Sequence, residues 1–311
     1  MVATVAPAAA QTPSWPAKQV RIIVPYAAGG GVDIVARTLG DELGKRTGKP
    51  VIIENRAGAG GNIGSEYVVR SDPDGYTLLL ASNSNAVNNS LYVGMSYDAG
   101  RDLAPVILIG KVPLVLLVSP SYPAKSVSQL LGAARAAPGS INFASSGNGT
   151  AEHLILELFK RRTGIDVVHV PYKGAPPAYT DLMSGQVQAM FTNPVGAAPY
   201  LKSGQLRALG VTGPVRVPQL PDVPTLAEQG IPDFNVTVWW GLMGPAGMPK
   251  ETVAQINAAI ATVLASPDVV KRLESLGARA EGGSPEQFAT FFRSERSTWD
   301  GVIKAANIKL E

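Results

Sequence analysis

Short β-branched runs alternate with segments of helical period along most of this chain, and that alternation narrows the possible folds more than any other feature. Residues 20–24, 51–53, 76–81, 114–118, 141–143, 167–170, 187–191 and 206–211 read as strands. Between them, residues 32–46, 127–137, 151–162 and 175–184 place apolar side chains three and four apart, the spacing of a helix with one buried face. Strand followed by helix, repeated, predicts an α/β protein with mostly parallel sheets, because parallel neighbours need a long crossover and a helix supplies it. Residues 103–118 form the most apolar stretch, but it holds Pro105, Lys111 and Pro113 and falls short of the roughly 20 apolar residues that span a bilayer. Two buried strands are expected there, and no membrane insertion. Nearer the C-terminus, Pro249, Pro267 and Pro285 stand at first helical positions. Ser284 with Gln287 forms a capping box ahead of a stripe of Phe288, Phe292, Trp299 and Ile303 that should be core.

Composition removes whole classes of chemistry. The absence of cysteine excludes thiolate nucleophiles, disulfides and thiolate metal sites. His153 and His169, the two histidines, show no metal-ligand spacing, so no metal is expected. The glycines at 58, 60, 61 and 64 do not form GxGxxG, and no GxxxxGK, GxSxG or SxxK occurs, so neither a nucleotide cofactor nor a nucleophile elbow is expected. A net charge of +3 without a basic run offers nothing to nucleic acid. With 311 residues the chain is long enough for one large or two ordinary domains. Residues 1–13 are Ala-rich and carry Ala8, Ala9 and Ala10 before Gln11. They read either as the remnant of a trimmed export signal or as a disordered linker, and lie outside the expected fold.

One local arrangement occurs twice. The strand at 20–24 runs into Gly29, Gly30 and Gly31 and then a helix, and the strand at 141–143 runs into Ser145, Ser146, Gly147, Asn148, Gly149 and Thr150 and then a helix. Such a turn exposes backbone N–H groups that have no partner within the helix, and the helix dipole favours an anion there. Each alone reads equally well as a tight turn. Neither loop carries Arg or Lys, so the anion would be held by backbone and hydroxyl donors, which suits a carboxylate better than a triphosphate. Two such loops at the carboxyl ends of strands suggest a small diacid enclosed between two lobes.

These segments make the chain recognisable. Val24, Pro25, Tyr26, Gly29, Gly30 and Asp33 are followed by ENRAGAGGNIG at 54–64 and DGYTLL at 74–79. FASSGNGT at 143–150, VPYKG at 170–174 and LPDVPT at 220–225 come next. In this order the motifs resemble the Bug family of periplasmic substrate-binding proteins, which serve tripartite tricarboxylate transporters, from residue 15 to the C-terminal helix. The resemblance implies a two-lobed periplasmic binding protein of type II topology, with the ligand in the inter-domain cleft and no catalysis. It implies residues 12–118 and 232–311 as one discontinuous domain and 119–231 as the other. It further implies a periplasmic location, a small carboxylate as ligand and membrane transporter subunits as partners; a monomer is expected. Departures are Ala28 in place of the family's usual proline, Ser84, Asn85 and Ala86 where relatives read Thr-His-Ala, and Thr192 in place of an aspartate. Loss of an acid at Thr192 favours a plain dicarboxylate over an amino acid, whose ammonium wants a counter-charge, with Asp33 as the remaining acid.

The candidate ligand-binding set is therefore Tyr26, Ala28, Gly29, Gly30, Gly31 and Asp33 around the first loop and Ser84 and Asn85 after the third strand. It continues with Ser145, Ser146, Gly147, Asn148, Gly149 and Thr150 in the second loop, Tyr172 and Lys173, Thr192 and Asn193, and Trp239. Several have a plainer reading. Ser82, Asn83, Ser84 and Asn85 also read as an ordinary polar loop, Asp33 as a brace for its own loop, and Glu54 with Arg56 as a structural ion pair. Of Trp239 and Trp240, one stacks on ligand while the other fills core. The alternative function is an α/β enzyme acting on a carboxylated substrate; a regulator's effector domain would need a DNA-binding helix-turn-helix, and no basic recognition element is present.

Overall fold

Val20, Ile22, Ile23 and Val24 are all fully buried, so the first strand is covered on both faces, as expected of a strand in an α/β sheet. This strand, β1 (Val20–Val24), opens the fold of the computed structural model, which describes residues 15–172, 174–232 and 234–309. The residues at 1–13 lie outside the described part. The chain continues through α1 (Gly31–Thr47), β2 (Val51–Asn55), α2 (Asn62–Val69), β3 (Thr77–Ser82), α3 (Asn83–Leu91), the single turn α4 (Ala99–Asp102) and β4 (Leu103–Pro113). It then crosses at Leu114 into β5 (Val115–Val118), α5 (Val127–Ala136), β6 (Asn142–Ser145), α6 (Ala151–Thr163), β7 (Val168–Pro171), α7 (Ala175–Ser184), β8 (Ala189–Thr192), α8 (Pro194–Lys202) and β9 (Arg207–Val211). It returns along β10 (Thr237–Pro245) and closes with α9 (Lys250–Leu264), α10 (Pro267–Ser275), β11 (Arg279–Gly282) and α11 (Pro285–Ala305).

Two sheets result, ordered β11-β4-β10-β3-β1-β2 and β7-β6-β8-β5-β9. The expectation of mostly parallel sheets needs correction: β1 pairs parallel with β2 and β3, and β6 with β7 and β8, while every other pair is antiparallel. The reason lies in the crossings. Strands β1 to β4 run in one direction, and β10, re-entering from the second sheet, inserts between β3 and β4 in the opposite direction. In the same way β5 enters the second sheet between β8 and β9. Second, first, third, inserted, fourth is the strand order of the type II arrangement, and it occurs in both sheets. The residues at 115–118, just before the expected domain boundary, pair within the second sheet.

Helix α1 buries Val35, Ala36, Leu39 and Leu43 at three- and four-residue spacing. Phe143, Phe159, Phe191 and Phe234 interlock beneath the second sheet, with ring centroids 5.4 to 6.3 Å apart. Ser284 and Gln287 form their capping box, and Phe288, Phe292, Trp299 and Ile303 are buried. Pro267 and Pro285 open their helices, whereas Pro249 is the residue that precedes α9. The polar loop expected at 82–85 is instead the start of a helix. Ser82 caps α3 in a capping box with Asn85, which compensates for a sequence poor in helix formers. Among the described residues no single helix is long and apolar enough to cross a membrane.

Candidate functional site

Because β1 and β6 both deliver their carboxyl ends to the gap between the sheets, a cavity of about 290 Å³ lies between Tyr26 and Val32, which flank the first glycine loop, and Asn148, Gly149 and Thr150 of the second; Ala28, Gly29, Gly30 and Gly31 themselves are not on its wall. The first sheet and its helices and loops contribute Tyr26, Val32, Gly60, Ser82, Asn83, Ser84, Val87, Asn88, Leu91, Tyr92, Val238, Trp240 and Trp299. The second contributes Asn148, Gly149, Thr150, Ala151 and Leu154. The walls are apolar and aromatic with a few hydroxyls and amides, and among the described residues no charged side chain lines them. Such a surface can shelter an apolar body, and can hold an anion through neutral donors.

The polar patch is built locally. The Tyr26 hydroxyl lies 2.7 Å from Ser82 Oγ and also contacts Ser84 Oγ, and burial pushes its pKa up, which keeps it a neutral donor. Asn83 clamps the crossing strand: its Oδ1 accepts from Trp239 N–H at 2.9 Å, and its Nδ2 donates to Thr237 O at 3.2 Å. That clamp fixes where Trp240 enters the cavity. Gly31 lies against the same indole, since a methyl group there would stand 3.5 Å from the ring.

Ala28, Gly29 and Gly30 are exposed at the start of α1. Gly30 caps α1 with no side-chain hydrogen bond, which leaves N–H groups of the first turn to solvent or ligand. Gly29 adopts φ 87°, a left-handed conformation that glycine tolerates best. Its N–H donates to Asp33 Oδ2 at 2.9 Å. Asp33 itself is buried and fully engaged, accepting two bonds from Arg37 at 2.9 Å and one from Asn55 at 2.9 Å. The Arg37 guanidinium, with smaller help from Gly29 N–H and Asn55, holds its carboxyl at about 2 against the cost of burial. It braces the loop and has no lone pair left for a ligand.

The second loop likewise spends part of its capacity on itself. Ser145 is fully buried, its Oγ 2.6 Å from His169 Nε2, so it presents no nucleophile to the cavity. Gly147 N–H donates to Ser145 Oγ at 3.2 Å, Ser146 O accepts from Gly174 N–H at 3.1 Å, and Gly149 N–H donates to His153 Nδ1 at 3.1 Å. Asn148, Gly149 and Thr150 remain on the cavity wall.

Other candidates lie away from it. Asn85 is buried, accepting from Ser82 N–H at 3.0 Å and donating to Ser65 Oγ at 2.8 Å, so it is a brace within the first lobe. The Tyr172 hydroxyl donates to Asp181 at 2.7 Å, and burial with that carboxylate pushes its pKa up to about 12. Thr192 is buried against the Tyr179 hydroxyl at 2.7 Å, and Asn193 caps α8. Lys173 lies outside the described residues. Trp239 needs correction: it is wholly buried, its Nε1 donates to Glu295 at 3.0 Å, and Phe288, Phe291 and Phe292 surround it with centroids 5.7 to 5.9 Å away. Trp240 faces the cavity instead, because successive residues of a strand point to opposite faces. Glu54 and Arg56 pair at 2.6 Å, with Arg56 over the Tyr67 ring. The sequence reading missed Tyr92, Asn88 and Gly60, and assigned Trp299 to core alone, since each reaches the cavity only through tertiary packing.

Two lobes joined by crossing strands, with a small cavity between the carboxyl ends of their strands, define a solute-binding protein. The chain belongs to the tripartite tricarboxylate transporter family receptor group, whose family profile matches residues 35–308. A protein from R. palustris solved with adipate is 36% identical, with TM-score 0.80 over 95% of this chain and 100% of that one. The periplasmic binding protein BugD is 32% identical, with TM-score 0.77 over 95% and 100%. MatC from Rhodopseudomonas palustris with bound malate is 34% identical, with TM-score 0.76 over 93% and 100%.

Proposed function

We propose that this protein captures a dicarboxylate with an apolar middle in the periplasm and delivers it, as a monomer, to the membrane subunits of a tripartite transporter. The observation that carries this reading is a cavity whose described residues give apolar walls and neutral donors, with no charged side chain among them, flanked by two loops that open helices. An amino acid fits poorly: Asp33 is spent on Arg37 and Gly29, position 192 is a threonine, and among the described residues no carboxylate lines the wall to meet an ammonium. The relatives solved with adipate and malate support a diacid. Lobes that divide near Leu114 and between β9 and β10 close around the ligand.

A thermal-shift panel of adipate, malate, citrate, glutamate, glucose and ATP tests the assignment. At about 100 times its dissociation constant a true ligand stabilises by about 2.7 kcal/mol, which raises the midpoint by roughly 2 °C or more for a chain of this size. Adipate should give the largest shift. A shift with glucose or ATP and none with any carboxylate would overturn the reading.

A further inference from the structure

The two histidines, which ligand binding as described leaves unused, lie stacked beneath the second loop with ring centroids 3.9 Å apart and planes at 6°. Each holds one end of that loop. Gly149 N–H donates to His153 Nδ1 at 3.1 Å, so Nδ1 carries a lone pair and the proton of the neutral ring is on Nε2. His169 Nε2 lies 2.6 Å from Ser145 Oγ, which also accepts from Gly147 N–H. Thr150 Oγ1 donates to Gly147 O at 2.8 Å and closes the turn. Gly149 and Thr150 are at the same time cavity wall.

We propose that His153 and His169 are positioning residues of the ligand site: the stacked pair holds the loop at 145–150 in its cavity-lining shape through the free lone pair of His153 Nδ1, and protonation of that nitrogen releases the loop. The proposal rests on the cavity being the ligand site. A protonated Nδ1 would set donor against donor at Gly149, and the added charge would lie in a buried stack. Burial, with the neighbouring imidazole second, holds His169 down at about 4, and burial holds His153 below its ordinary value. Among the described residues the charged groups acting on the pair are Glu157 and Lys160 of α6, which oppose one another at His153 and are themselves paired at 2.8 Å. Strands β6 and β7, which carry Ser145 and His169, contain no charged residue. Among the described residues no carboxylate forms an ion pair with either ring. The loop is thus assembled at neutral pH and loosens only in acid.

Two measurements decide the matter. Proton NMR follows both imidazoles and the Gly149 amide in the unliganded protein from about pH 7.5 to 3.5, and calorimetry follows adipate affinity over the same range. The Gly149 amide should move with the His153 midpoint, below the ordinary histidine value. His153→Phe keeps a stacking ring but offers no acceptor, and should weaken adipate binding about tenfold at neutral pH, the cost of roughly one hydrogen bond. His153→Asn, whose Oδ1 can stand where Nδ1 stood, should restore most of that affinity and remove its acid dependence; together with the amide titration it decides the case if the Phe variant does not fold. An amide indifferent to His153, or a folded Phe variant that binds adipate like the parent, overturns the proposal. If the parent binds no carboxylate, the ligand reading fails, while the amide titration still decides whether the histidines hold the loop.

Discussion

Gly30→Asp separates folding from binding at the first loop. Gly30 has φ −77° and ψ 168°, extended backbone open to any residue. A Cβ added there meets nothing nearer than Ala27 O at 3.8 Å, so the side chain fits. As the residue capping α1 it has no side-chain hydrogen bond, and an aspartate can supply one, worth a few tenths of a kcal/mol over glycine. The fold should therefore be as stable as before or slightly more so. The same carboxylate occupies the N–H groups proposed for the ligand and repels it. One lost charge-assisted bond costs about 1.5 to 3 kcal/mol, and a like charge at about 4 Å adds roughly 1 to 4 kcal/mol depending on water access. Calorimetry with adipate should show a loss of tenfold or more, with the melting midpoint unchanged or raised. Gly30→Asn, which caps without charge, should lose less. Parental affinity in the Asp variant would refute anion binding at this loop. Gly147→Asp is a poorer probe, because φ 141° and a Cβ 3.3 Å from Tyr172 O confound strain with binding.

Three further outcomes are expected. Trp239→Phe leaves Glu295 short of one indole donor and should lower stability by about 1 to 3 kcal/mol in urea with adipate affinity little changed, while Trp240→Phe should do the reverse; equal affinity losses would undo the assignment of Trp240 alone to the cavity. Asp33, held at about 2 against an ordinary 3.8, stabilises the fold by about 2 kcal/mol above pH 4, and that share disappears as pH falls through about 2. Urea titrations of the parent and Asp33→Asn should therefore converge in acid, and a constant gap would show that the ion pair contributes nothing. Saturating adipate should reduce the radius of gyration in X-ray scattering, since the ligand touches both lobes; no change would argue for binding to one lobe.

Much of the fold was legible because period and punctuation are local. The strands at 20–24 and 206–211, the latter one residue shorter in the fold, the stripe of α1 and the capping box at Ser284 each depend on residues within a turn or two, and both glycine loops were visible as turns that open helices. The family motifs added the two-lobed arrangement. Other features were decided by partners far along the chain. The antiparallel insertion of β10 depends on neighbours more than 120 residues earlier, and no periodicity encodes which strand comes between two others. Trp239 and Trp240 are chemically alike and adjacent; the Asn83 clamp and the aromatic face of α11 determine which one enters the core. Asp33 read as brace or ligand contact until Arg37 and Asn55 filled its lone pairs. The second loop appeared to offer all its N–H groups, yet two are taken by Ser145 and His153, and Ser145 is tied to His169 of the next strand. Sequence determines which groups can bond, whereas packing determines which of those bonds the protein makes with itself, because each buried donor or acceptor must find a partner before any remains for a ligand.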